Sequence, residues 1–196
     1  MPVAARRARV ALQIGARTLL RRAGPDDERE FLACARASRE LHRGLVEPPL
    51  THLQFARLLR RAEHPATEVH LLCRREDGAI CGVLNLNDIV RGAMESASLG
   101  YYAFAPFAGH GYMTEGMQLV LRQAFRRLKL HRVEASVQPD NAASIALLVR
   151  AGFREEGFSR RLLRVSGRWR DHLRFAILAE EWTPRPAKPK VQSRRR

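Results

Sequence analysis

At 196 residues, with 45% hydrophobic and 28% charged side chains, the chain is expected to fold as one globular domain of ordinary size, residues 17–182. No apolar run approaches the ~18 residues of a membrane span, and residues 1–17 hold no apolar segment of signal-peptide type, so a cytoplasmic protein without a membrane partner is expected. The net charge of +15 gathers toward the ends, in Arg6, Arg7, Arg9 and Arg17 and in Arg185, Lys188, Lys190, Arg194, Arg195 and Arg196. Such ends raise the encounter rate with polyanions, which keeps RNA or the ribosome in view as a neighbour. Three cysteines, Cys34, Cys73 and Cys81, make neither an even disulfide set nor a metal-ligand spacing, so small buried side chains are their simplest account and no metal is expected.

In chain order, residues 1–16 read as a basic arm and residues 18–22 as a first strand, closed by the turn Gly24-Pro25-Asp26. Asp26 or Asp27 is placed to cap a helix in which Phe31, Leu32 and Ala35 recur on one side. Pro48-Pro49 breaks the chain before a second helix from about Thr51, carrying Leu53, Phe55, Leu58 and Leu59. Residues 69–73 and 79–84 form a hairpin about Glu76-Asp77-Gly78, with His70 as an ordinary strand residue, and residues 87–94 read as a polar connection.

Residues 96–104 make the strand that leads into the turn Pro106-Phe107-Ala108-Gly109-His110-Gly111. Apolar side chains then fall at Met113, Met117, Val120, Leu121, Ala124, Phe125 and Leu128, one face of a single long helix, and residues 132–137 form the next strand. Strand, helix and strand in this order form a right-handed crossover. The two strands should therefore be parallel, with the helix N-terminus at the carboxyl edge of the sheet. Asp140 or Asn141 caps a helix over 142–151 that ends at Gly152, residues 153–164 and 169–178 close the fold as a hairpin, and 183–196 form a basic, proline-containing tail.

The glycine turn carries the chemistry. A turn that opens a helix leaves backbone N–H groups unpaired with the positive end of the helix dipole behind them, an arrangement that suits phosphate, although the same glycines also serve a plain tight connection. No Lys-Ser/Thr follows, and the third glycine of a dinucleotide fingerprint is missing.

Here the sequence resembles the GNAT superfamily of acetyl-CoA-dependent N-acetyltransferases. The family's loop, Gln/Arg-x-x-Gly-x-Gly/Ala, falls on residues 108–113, with Ala108 in place of Gln or Arg and Met113 in place of the small residue. Met113-Thr114-Glu115, residues 87–92, Asn141-Ala142-Ala143-Ser144 ahead of Gly152-Phe153, and residues 167–172 are similar to the branch that acetylates alanine N-termini of ribosomal proteins. The resemblance implies an α+β fold of three α/β/α layers around a mixed, mostly antiparallel sheet of about seven strands, splayed where the cosubstrate enters. It implies acetyl-CoA as cosubstrate, its pantetheine arm along the main chain of Tyr102, Ala103 and Phe104. It implies that the pyrophosphate lies on the amides of Gly109, His110, Gly111, Tyr112 and Met113, that Asn141 contacts the arm, and that Ala108, Thr114 and Ser144 also belong to the cofactor site.

Acetyl transfer to an amine needs a neutral amine, a stabilised oxyanion and a proton for the departing thiolate. An α-amine of pKa about 8 is roughly one-tenth neutral at pH 7, so an N-terminal acceptor asks less of a base than a lysine does. A main-chain N–H on the strand through Tyr102 to Phe104 is the expected oxyanion donor. Many family members carry a tyrosine as the acid where this chain has Leu148. By resemblance the role passes to Ser144, whose hydroxyl could equally serve the first helical turn. Glu95 is the candidate base and Glu115 a complement to the helix dipole, while Glu134, His110, His131 and His172 read as structural or surface residues. The acceptor is a protein N-terminus or a small amine, with residues 31–61 lining its site. An idle CoA-binding or RNA-associated domain is the rival, and monomer and homodimer both stay open.

Overall fold

The computed structural model describes residues 10–184, so the basic ends, Arg6 to Arg9 and Arg185 to Arg196, lie outside the described residues. One mixed sheet holds eight strands: β1 (Ala11–Ile14), β2 (Thr18–Arg22), β3 (Glu68–Arg74), β4 (Ile80–Val90), β5 (Ser96–Ala103), β6 (Arg132–Val137), β7 (Arg154–Val165) and β8 (Arg168–Leu178). Their order across the sheet is β1-β2-β3-β4-β5-β6-β8-β7, and every neighbouring pair is antiparallel except β5 and β6. That parallel pair is the expected product of the crossover through α4 (Tyr112–Arg122).

Both faces are covered. Helices α1 (Glu28–Ala37), α2 (Arg39–His42) and α3 (His52–Arg61) bury Phe31, Phe55 and Leu58 against Leu71, Val83 and Phe104. On the other face α4 and α5 (Ala142–Ala151) bury Met117, Leu121 and Leu148 against Leu84, Leu99 and Val133. Strand alternation divides β5 between the layers, with Tyr101 packed toward the second group and Tyr102 and Phe104 toward the first.

Four expectations change. The strand count is eight rather than about seven because Ala11–Ile14, read as part of the arm, pairs with β2. Four residues are too few to show a period, and what holds them is tertiary: buried Gln13 donates to Gln123 at 3.1 Å. The polar stretch after residue 87 continues β4 to Val90 rather than leaving it. The long helix widens into a π turn over Gln123–Arg127, where Gln123 meets both Gln13 and Glu68 (3.1 Å each). Asp27 sits at the start of α1 without capping it. Its carboxylate instead takes two hydrogen bonds from buried Arg21, at 2.8 and 2.9 Å. No helix among the described residues is long and apolar enough to cross a membrane.

Candidate active site

The two parallel strands part company midway. β5 and β6 pair only at Ser96↔Arg132, Ala97↔Val133 and Ser98↔Glu134, although β5 runs on to Ala103 and β6 to Val137. Beyond Ser98 the strands leave a wedge open at the carboxyl edge of the sheet. The Phe104 amide donates to Cys81 O at 2.9 Å, so by antiparallel alternation the main-chain groups of Tyr101 and Ala103 turn away from β4 and into the wedge. This narrows the three-residue expectation: the Phe104 N–H is occupied, Tyr102 faces β4, and Ala103 presents its N–H to the gap.

The glycine turn stands at the mouth of the wedge. Gly109 and Gly111 both adopt φ +77°, and Gly111 is the residue that opens α4. At that dihedral a Cβ is strained, and a Cβ on Gly111 would also come within 3.2 Å of Arg17 Nη2. Arg17 lies over the turn, donating to His110 O at 3.1 Å and stacking 5.0 Å from the Tyr112 ring centre. Met113, unusual for the loop, fits because β4 has a glycine beneath it: a Cβ on Gly82 would lie 2.9 Å from Met113 Sδ and 2.6 Å from Tyr102 O. Glu115 is committed to structure, accepting from the amides of Arg17 (2.8 Å) and Thr18 (3.1 Å).

Asn141 caps α5 by accepting from the Ser144 amide at 3.1 Å, which directs the Ser144 hydroxyl back toward β5. There it shares a 2.5 Å hydrogen bond with the Tyr101 hydroxyl. Burial pushes the Tyr101 phenol up to about 12, against a smaller opposing pull from Ser144, so the phenol stays protonated at neutral pH. Leu148 is wholly buried in the core. The motifs do not point to Tyr101; strand alternation does, since Leu99, Tyr101 and Ala103 share the face opposite Tyr102 and Phe104.

Glu95 is not brought to this place. It precedes β5 at the closed end, about 25 Å along the strand from Ala103, with its carbonyl accepting from His131 (2.7 Å) and Arg132 (3.1 Å). Glu134 pairs with Arg132 and Arg174, His131 with Glu180, and His110 and His172 bond nearby carbonyls.

On the opposite face, against Tyr102, lies a cleft of ≈ 870 Å³ walled by α2, the segment after it, and α3. Ser38 fixes α1 and α2 to the end of β5 by accepting from the Ala105 amide at 2.8 Å. Arg39, Glu40, Glu47, Arg57 and Arg61 line the cleft, with His42, Asn85 and Tyr102 among its walls. The Ser144 hydroxyl and this cleft therefore meet the wedge from opposite faces.

Residues 17–154 match a family profile described as Acetyltransferase (GNAT) domain. The chain is 43% identical over 102 residues to "Probable N-acetyltransferase YjcK" of Bacillus subtilis, covering 52% of this chain and 56% of that protein. It is 36% identical over 109 residues to the Escherichia coli "[Ribosomal protein uS5]-alanine N-acetyltransferase", covering 56% of each. Thus the chain spans a little over half the length of these curated relatives. Among solved structures, Mycobacterium smegmatis RimJ in complex with CoA-disulfide superposes with a TM-score of 0.78 at 31% identity, over 86% of this chain and 85% of that one. Profile, fold and a relative matched over most of its length agree: the chain belongs to the GNAT acetyltransferase family.

Proposed function

We propose that the protein transfers an acetyl group from acetyl-CoA to a primary amine, and that the amine is the N-terminal α-amine of a protein. The observation that carries this is the wedge between β5 and β6 opening beside the Gly109–Gly111 turn, whose amides have no backbone partner among the described residues. An arm with amide groups fits the open strand edge, and a pyrophosphate fits the start of α4. The Ala103 N–H is the donor for the carbonyl oxygen as it gains charge. The Ser144 and Tyr101 hydroxyls hold the proton for the leaving sulfur, Tyr101 supplying from β5 a phenol that Leu148 does not.

The α-amine reading draws support from the alanine N-acetyltransferase of Escherichia coli and from the RimJ structure. The cleft agrees in its charge, because four arginines, Arg39, Arg43, Arg57 and Arg61, against Glu40 and Glu47 repel a polycationic acceptor. The test is free-thiol release from acetyl-CoA with peptides that begin with alanine, serine or threonine, with a ribosomal-protein extract, and with small amines including polyamines. Release with the peptides is expected. Release with small amines alone would keep the transferase and discard the protein acceptor, and acetyl-CoA binding without release would point to an idle domain.

A further inference from the structure

Two buried polar atoms in the cleft wall have no partner among the described residues: His42 Nδ1 and Asn85 Oδ1. The side chains belong to residues only 5% and 7% exposed. A buried acceptor left without a hydrogen bond is costly, and two such acceptors on residues that line one cleft call for a ligand that donates. The His42 ring leaves no ambiguity about which nitrogen can accept. Its Nε2 lies 2.8 Å from Ala103 O, a carbonyl that can only accept, so Nε2 carries the hydrogen and Nδ1 keeps its lone pair. The ring packs 5.4 Å from Tyr102, and Asn85 is one step along the same face, since β4 sets Val83 opposite Tyr102 and Asn85 opposite Gly100.

We propose that His42 Nδ1 and Asn85 Oδ1 form the amine-recognition site of the acceptor cleft, and that His42 takes the proton the amine nitrogen loses. The proposal rests on the acetyl-transfer reading and adds its base. The amine nitrogen bonds to the acetyl carbon while the carbon–sulfur bond breaks and its electron pair goes to sulfur. One N–H proton passes to His42 Nδ1 and then to water, and the sulfur receives a proton from the Ser144–Tyr101 pair, which regains one from water. Burial holds the His42 imidazole below its ordinary value, so it is neutral and able to accept at pH 7. The charged groups around it favour the same state. Arg39 on its own helix, Arg43 just after that helix, and Arg57 and Arg61 across the cleft oppose protonation, Glu40 is tied to Arg43 at 2.5 Å, Glu47 is the one other carboxylate lining the cleft and has no partner among the described residues, and the phenol of Tyr102 is kept neutral by burial.

The decisive variant is His42→Gln, because a glutamine amide can keep the hydrogen bond to Ala103 O while removing the acceptor at Nδ1. Turnover of an alanine-starting hexapeptide, or of methylamine as a minimal acceptor, should fall at least tenfold, with the acetyl-CoA KM within twofold of wild type. The acid limb of kcat/KM against pH should flatten. Asn85→Ala, on a well-paired strand, should raise the acceptor KM severalfold and leave the acid limb in place. Wild-type rates and pH profile in His42→Gln would overturn the proposal while leaving the acetyltransferase standing. An independent reading comes from nitrogen NMR of the labelled protein: His42 protonated on Nε2 at pH 7 is expected, and protonation on Nδ1 overturns the proposal whether or not any acceptor turns over.

Discussion

The part of the molecule made by β5 and β6 with α4 and α5 on one face of the sheet, and the part made by α1, α2 and α3 on the other face, are built on different terms. The first works through its backbone: a wedge where pairing stops after Ser98, and a turn whose glycines sit at φ +77°. The second works through side chains held on short helices, His42 on a helix of four residues among them. Backbone sites tolerate changes of side chain and fail when the chain path changes. Side-chain sites do the reverse, so the same fold can keep one cosubstrate while its acceptor varies.

The comparison breaks most readily at Gly111. Valine there must hold a β-branched side chain in the left-handed region, at a cost of about 1–3 kcal/mol, with its Cβ directed at Arg17 Nη2. If about 2 kcal/mol of that is expressed in binding, acetyl-CoA affinity falls about thirtyfold. Calorimetric titration of the Gly111→Val protein measures it, with thermal unfolding as the control. Unaltered affinity in a folded variant would mean that the turn is a mere connection.

Ser144 comes next, as the side chain on which the chemistry of the backbone half depends most. Ser144→Ala removes a hydroxyl without disturbing the helix start, since Asn141 bonds the main-chain amide of residue 144. A kcat at least tenfold lower, with acetyl-CoA affinity unchanged, is the expected result of pre-steady-state and steady-state thiol release. Tyr101→Phe should cost less, a few-fold, if the phenol chiefly holds the serine hydroxyl. A larger loss in Tyr101→Phe than in Ser144→Ala would reverse their order and make Tyr101 the proton source.

This division also explains what could be read from residues alone. Glycine spacing, an Asn three residues before a Ser, and a strand-helix-strand order are local patterns, and local patterns announce the parallel pair, the turn and the cap of α5, whereas the wedge is what the family resemblance implies. Residues that act through distant contacts leave no such trace. Gln13 joins a strand because Gln123 bonds it across the fold, Asp27 leaves the cap of α1 for Arg21, and His42 becomes significant only because Ser38 ties its helix joint to Ala105. Glu95 misled for the same reason. Its position beside β5 in sequence said nothing about which end of the strand opens.

The smallest expected effect is the sharpest test of the backbone account. Ala108 stands where the family's loop has Gln or Arg, so Ala108→Arg restores a side-chain contact to the phosphate site. If side chains dominated there, the substitution would raise acetyl-CoA affinity tenfold or more. The turn, however, already has a guanidinium over it, Arg17, which is 40% exposed and bonded to His110 O. A second exposed cation adds to amides that are in place without it, and exposed charge pairs contribute about 0.2–1 kcal/mol. Affinity should therefore rise by no more than about fivefold at low salt, and the gain should shrink toward nothing as ionic strength increases. A gain above tenfold that survives high salt would place the binding energy in side chains and dissolve the contrast between the two halves.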